Sequence, residues 1–155
     1  MTERGLREEI KKRNPFDCPE QEAALNLWRT ADQLGSRFGR LLKGKGLSDS
    51  QYNVLRILRG EGKALPCQEI AARMITRLPD ITRLVDRLEG SGLVARSRTP
   101  DDRRVVLIEI TEQGLDLLAR LDEPMLALHR AQLGHLSREE LGELNRLLVK
   151  ARQGD

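Results

Sequence analysis

One run of residues, Pro66–Thr111, constrains the fold of this chain more than any other feature. It reads PCQEIAARMITRLPDITRLVDRLEGSGLVARSRTPDDRRVVLIEIT. In Gln68–Met74 the apolar positions Ile70, Ala71 and Met74 share one helical face. In Pro79–Ser91 the residues Ile81, Leu84, Val85 and Leu88 repeat at three-and-four spacing, a helix with one buried stripe. A break at Ile75–Leu78 separates the two, and Pro79 is tolerated in the first turn of the second. Gly90-Ser91-Gly92 then stops that helix, because glycine takes the left-handed closing conformation without a Cβ penalty. Beyond it the period changes. Leu93–Arg98 and Arg103–Ile110 read as strands joined by the turn Thr99-Pro100-Asp101-Asp102. Helix, short turn, helix and hairpin together make the layout of a winged helix–turn–helix.

The charge is concentrated in the same run. The chain has 27 Lys and Arg against 24 Asp and Glu, a net charge of +3. Between Arg73 and Arg104, the side chains Arg73, Arg77, Arg83, Arg87, Arg96, Arg98, Arg103 and Arg104 face only Asp80, Asp86, Glu89, Asp101 and Asp102, so that stretch carries the whole excess. Arginine presents a planar fork suited to phosphate and to guanine edges. Any one of these side chains could instead sit in a surface ion pair, such as Asp86 with Arg83 or Arg87. As a cluster on a helix–turn–helix and wing they point to nucleic acid.

The segments ITRLVDRLEGSGLVARSRTPDDRRVVLIEITEQG (Ile81–Gly114) and LSREELGELNRLL (Leu136–Leu148) resemble the MarR-type (multiple antibiotic resistance regulator) transcription factors. The resemblance covers about residues 22–150. It implies that Leu78–Ser91 is the recognition helix, with Arg77, Pro79, Asp80, Thr82 and Arg83 at base edges and nearby phosphates and Arg87 on the same helix. It also implies that Asp102-Arg103-Arg104 is the wing-tip signature: Arg104 enters the minor groove, Asp102 shapes the tip and Arg103 meets phosphate. The family usually has a serine or threonine cap near Arg77, and Thr76 is the candidate cap here. Asp80 either accepts from a cytosine or favours the positive helix end, and the second is preferred.

The rest of the chain reads as support for that run. The expected fold class is mainly α with a small β-hairpin wing, the terminal helices forming a dimerisation layer. Residues 1–19 are an arm, mobile or ordered only against a partner, and 20–46 a first long helix striped by Ala24, Leu27, Trp28, Ala31, Leu34, Phe38, Leu41 and Leu42. Residues 47–111 form the DNA-binding domain, opened by a Ser48–Gln51 capping box, with Ala64-Leu65 able to add a strand beside the wing. Residues 112–155 supply dimerisation helices. Thr111 caps the first, Pro124 kinks or restarts it with Asp122 as a cap, and Ser137 with Glu140 boxes the last. The leucine stripes of these helices exceed what the wing domain needs, which suggests a homodimer on a two-fold operator.

Several classes are disfavoured. No run approaches the roughly 18 apolar residues of a membrane span. The amino terminus MTERGLREEIKKRN lacks a signal-peptide core, so the cytoplasm of a bacterium or archaeon, at the nucleoid, is expected. Cys18, Cys67, His129 and His135 show no metal-ligand spacing, no nucleophile–base or cofactor motif emerges, and neither an enzyme nor a cofactor is expected. The resemblance implies a duplex DNA operator, a second copy of the chain and a small aromatic ligand as partners. Trp28, Arg29, Asp32, Tyr52 and His129 are the ligand candidates by position, although packing is the plainer role for Trp28 and Tyr52. The function expected is a DNA-binding regulator, a repressor released by that ligand. Two alternatives stay open: a redox sensor using Cys18, and a winged-helix protein-interaction module that binds no DNA.

Overall fold

A computed structural model describes residues 4–154. Among these residues, seven helices and three strands run in the order α1 (Leu6–Glu9), α2 (Pro19–Lys43), α3 (Asp49–Glu61), β1 (Leu65–Pro66), α4 (Cys67–Ala72), α5 (Ile81–Gly90), β2 (Val94–Arg98), β3 (Val106–Ile110), α6 (Glu112–Leu133) and α7 (Arg138–Arg152). This is the mainly helical fold with a small wing that the sequence predicts.

The sheet has the order β1-β3-β2 and is antiparallel throughout. Leu65 lies opposite Ile108, and Val94 opposite Ile110. Two residues of β1 suffice to cover the outer edge of β3, and Pro66, unable to donate a ladder hydrogen bond, is confined to this edge. The alternation of strand side chains then puts Val94 and Ile108 on the core.

Local signals explain the helix ends. The Ser48 hydroxyl accepts from the Gln51 amide while the Gln51 side chain accepts from the Ser48 amide, and Ser137 and Glu140 repeat the arrangement. Both are reciprocal capping boxes, as expected. The Thr111 hydroxyl accepts from the Gly114 amide and donates to the Gly92 carbonyl, so one side chain caps α6 and ties it to the end of α5. At that end the Leu93 amide reaches the Leu88 carbonyl and the Gly92 amide reaches Glu89, with Gly92 at φ +74°. This paired closure requires the left-handed residue that glycine supplies.

The core is built from α3 (Val54, Leu55, Ile57, Leu58), α5 (Leu84, Val85, Leu88), Ile70 and the strands. It is closed by Leu42 of α2 and by Leu118, Leu121 and Met125 of α6. Helix α7 buries no residue in the chain itself. Leu27, Trp28, Leu115, Leu126, Leu147 and Val149 also remain exposed, Trp28 to 69%. Trp28 is therefore not packed as expected, whereas Tyr52 is buried with its ring edge-on to Phe38 at 5.7 Å.

Two further expectations change. Helix α6 runs through Pro124 without restarting, and Asp122 is no cap: its carboxylate takes both terminal nitrogens of Arg59 on α3 at 2.9 Å. Pro124 removes one helical hydrogen bond on an exposed face, and Leu121 and Met125 hold the helix to the core on either side. The segment before α2 is also more than an arm. Leu6 is buried, Glu9 pairs with Arg29 at 2.8 Å, and Arg7 donates to the carbonyls of Lys12 and Arg13. The first three residues of that arm, and Asp155, lie outside the described residues.

Candidate nucleic-acid interface

The amino end of α5 is set by Asp80. Its carboxylate accepts from the Arg83 amide at 3.1 Å and pairs with the Arg83 Nε at 3.1 Å. A short carboxylate at the cap position satisfies an unpaired amide and faces the positive end of the helix dipole. The helix thus begins at Ile81, two residues later than the periodicity suggests. Arg77, Leu78 and Pro79 lie in the loop before it, and Thr76 is not its cap. The preferred reading of Asp80, as a group that favours the helix end, matches this geometry.

On α5 the buried stripe Leu84, Val85 and Leu88 turns Thr82, Arg83 and Arg87 outward. Ser48 and Ser50 at the start of α3 join Leu78, Pro79, Asp80, Arg83, Leu84 and Arg87 around an open cleft of about 310 Å³. The first turn of α5 and the start of α3 therefore form one continuous surface.

The wing tip is stiffened by its own short side chains. The Thr99 hydroxyl donates to the Asp102 carbonyl at 2.7 Å and accepts from the Asp102 amide at 3.2 Å. The Asp102 carboxylate accepts from the Arg104 amide at 2.9 Å, and the Arg98 guanidinium donates to the Arg103 carbonyl. Asp102 thus braces the tip, and Arg103 and Arg104 project from it, both exposed.

The eight clustered arginines divide by partner. Arg96 on β2 is clamped to α5 by Asp86 and Glu89, and its amide also donates to Glu89 at 3.1 Å. Arg73 is held by Glu69 and by Glu61 at 2.9 Å. Both guanidinium groups are pushed above their ordinary range, chiefly by the hydrogen bonds they donate to Asp86 and to Glu69. Arg83 pairs with Asp80 yet keeps its side chain 82% exposed. Among the described residues, Arg77, Arg87, Arg98, Arg103 and Arg104 have no carboxylate at ion-pair distance. Asp86 thus pairs with neither Arg83 nor Arg87, because the returning strand brings Arg96 to it.

The bracing roles of Arg96 and Asn53 are what sequence reasoning missed. Asn53 is buried on α3, and its side-chain oxygen accepts from the Ile75 amide at 2.9 Å, fixing the loop before α5. Both contacts bridge separate elements, and no local spacing signals them.

The ligand candidates do not converge within one chain. Tyr52 is interior, and burial raises its hydroxyl. Trp28, Asp32 and His129 are exposed, and Arg29 is engaged by Glu9. None of the five lines the cleft above. Cys18 is exposed at the start of α2, where it hydrogen-bonds Glu20; a backbone contact first, then Cys18, holds that carboxyl below the usual range. Cys67 is half-buried, and burial pushes its thiol up. No group of three or more metal-ligating side chains occurs among the described residues. Among the described residues, no helix is long and apolar enough to cross a membrane.

The sequence model of the MarR family matches residues 47–106, the span that carries this surface. The chain is 35% identical over 109 residues to the HTH-type transcriptional repressor IacR of Pseudomonas putida, covering 70% of this chain and 65%, just under two thirds, of that protein. The crystal structure of a MarR transcription factor from Planctomyces limnophilus is 46% identical, with a TM-score of 0.67 over 86% of this chain and 98% of that one. A structure of Bordetella bronchiseptica BpsR, whose DNA binding is regulated by 6-hydroxynicotinic acid, is 25% identical, with a TM-score of 0.78 over 92% of this chain and 100% of that one. With its helix–turn–helix, first wing strand and wing tip matched and nearly all of a solved relative spanned at 46% identity, this chain belongs to the MarR family of winged helix–turn–helix transcriptional regulators.

Proposed function

We propose that this chain binds a palindromic duplex operator as a homodimer, represses transcription there, and is released by a small aromatic ligand. The observation that carries the DNA reading is the split among the arginines. Arg73 and Arg96 are consumed by structure, while Arg77, Arg87, Arg103 and Arg104 lack a carboxylate partner among the described residues and flank the start of α5 and the wing tip. Under this reading Thr82, Arg83 and Arg87 enter the major groove, with Arg77, Pro79 and Asp80 at its edge. Arg104 occupies the minor groove, braced by Asp102, and Arg103 meets phosphate.

The dimer reading is supported by α7, which has no fully buried residue in its own chain, and by the exposed Leu27, Trp28, Leu126, Leu147 and Val149. Residues 20–46 and 112–155 then form the dimerisation layer around the DNA-binding domain, 47–111. The ligand reading is supported by BpsR, regulated by 6-hydroxynicotinic acid. Trp28, Arg29, Asp32, Tyr52 and His129 are its candidate contacts, and the second chain must help to assemble them.

Selection of bound fragments from random duplexes with the purified protein tests the reading. A palindromic core with half-sites about one helical turn apart is expected. Arg104→Ala should weaken binding about tenfold or more per half-site and leave the core sequence in place, since the minor groove barely distinguishes A·T from T·A. Arg83→Ala should cost about 1–3 kcal/mol and relax one position in each half-site. If no sequence is enriched and affinity ignores salt, the protein-interaction reading replaces this one.

A further inference from the structure

The loop between α4 and α5 holds an apolar side chain in water. Ile75 is 84% exposed, the most exposed of the large hydrophobic residues described. Its neighbours on either side behave differently: Met74 and Leu78 are half-buried and pack against the core. Single exposed apolar residues occur on any protein surface and need no explanation by themselves. Ile75 differs because its backbone is fastened. Its amide donates to the side chain of Asn53, the one buried polar residue among those described, at 2.9 Å. The loop is pinned at its entry by Arg73 to Glu61 and Glu69, and at its exit by the Asp80 cap on α5. A loop fixed at three points cannot fold this side chain inward, although burial would favour an isoleucine strongly.

The position suggests what the side chain meets. Asn53 lies one helical turn beyond Ser50, which lines the cleft shared with Pro79, Asp80, Arg83 and Arg87. Thr76 and Arg77, next in the chain, are both exposed. Ile75 thus lies three residues along the chain from Leu78, which lines that cleft. In the major groove the apolar group that a base presents is the 5-methyl of thymine, which aliphatic side chains contact directly.

We propose that Ile75 is a specificity-determining residue that packs on the 5-methyl group of one thymine in each operator half-site. Asn53 is its positioning residue, holding the backbone so that the side chain points away from the core. This inference rests on the DNA reading above.

The test compares wild type and Ile75→Ala on the duplex selected by wild type, with each thymine replaced in turn by uracil, which removes the methyl alone. Wild type should lose about threefold to fourfold affinity at one thymine per half-site, the worth of one buried methyl group. Ile75→Ala should bind the unmodified duplex more weakly and be indifferent to uracil at that same position. Equal uracil penalties in both proteins overturn the inference, as does a wild type that senses no thymine methyl. A weakened dimer in Ile75→Ala with its thymine response intact also overturns it, and assigns Ile75 to the subunit interface. If wild type enriches no sequence, the DNA reading fails and carries this inference down with it.

Discussion

Replacing Arg96 by methionine separates an arginine that braces the wing from the arginines proposed to meet DNA. Its guanidinium bridges Glu89 at 2.8 Å and Asp86 at 2.5 Å, joining β2 to α5. Methionine keeps the apolar stem, and the backbone hydrogen bond to Glu89 does not involve the side chain. The two pairs are partly solvated: the Arg96 side chain is 27% exposed and its partners 57% and 41%. Water screens such pairs to about 0.2–1 kcal/mol each, so about 1 kcal/mol is expected in total. For a chain of this size that lowers the melting temperature by about 2–4 °C. In the proposed dimer on DNA, the loosened wing must be re-ordered against α5 in each protomer. The same 1 kcal/mol then appears as about a fivefold loss per half-site, or about thirtyfold for a dimer. The slope of log affinity against log salt should not change, because no phosphate contact has been removed. Calorimetry and DNA titration over a range of salt measure both quantities. An unchanged melting temperature with a slope smaller by about 1.8 per dimer would refute the reasoning, since each lost phosphate contact removes about 0.9.

Removing Ser137–Asp155 should abolish dimerisation and tight DNA binding together; sedimentation showing an intact dimer would place the interface elsewhere. Gly114→Ala should destabilise the fold by about 1–3 kcal/mol, because its Cβ would lie 2.5 Å from the Leu93 carbonyl oxygen and 2.7 Å from the Ile110 Cγ1. Thermal melting checks this, and an unaltered transition would contradict the packing described. Alkylation near pH 8 should reach the exposed Cys18 well before the half-buried Cys67, whose raised pKa keeps its reactive thiolate scarce. Raising the pH should narrow the difference, and peptide mass analysis showing Cys67 modified first would exclude this ordering.

Much of the fold is legible in the chain because its signals are local. A capping box needs only residues three apart, and Ser48 with Gln51 and Ser137 with Glu140 form as read. A change of period from three-and-four to two marks the step from α5 to the wing, and Gly92 marks the turn between them. The core faces follow from the same periodicity, as Leu84, Val85 and Leu88 illustrate.

What the sequence could not determine depends mostly on partners far apart in the chain, and the start of α5 is the local exception. Pro79 suggests a helix start by its fixed φ, yet the Asp80 carboxylate captures the free amide and moves that start to Ile81. Pro124 suggests a break, yet core contacts on both sides of it carry α6 through. Eight arginines look alike as a composition. Tertiary structure distinguishes them, because the fold of β2 onto α5 brings Asp86 and Glu89 to Arg96 and leaves Arg103 and Arg104 to the solvent at the wing tip. Ion pairing acts over a few ångströms of space, whatever the separation along the chain, so only the folded molecule decides which charges are spent on structure and which remain for a ligand.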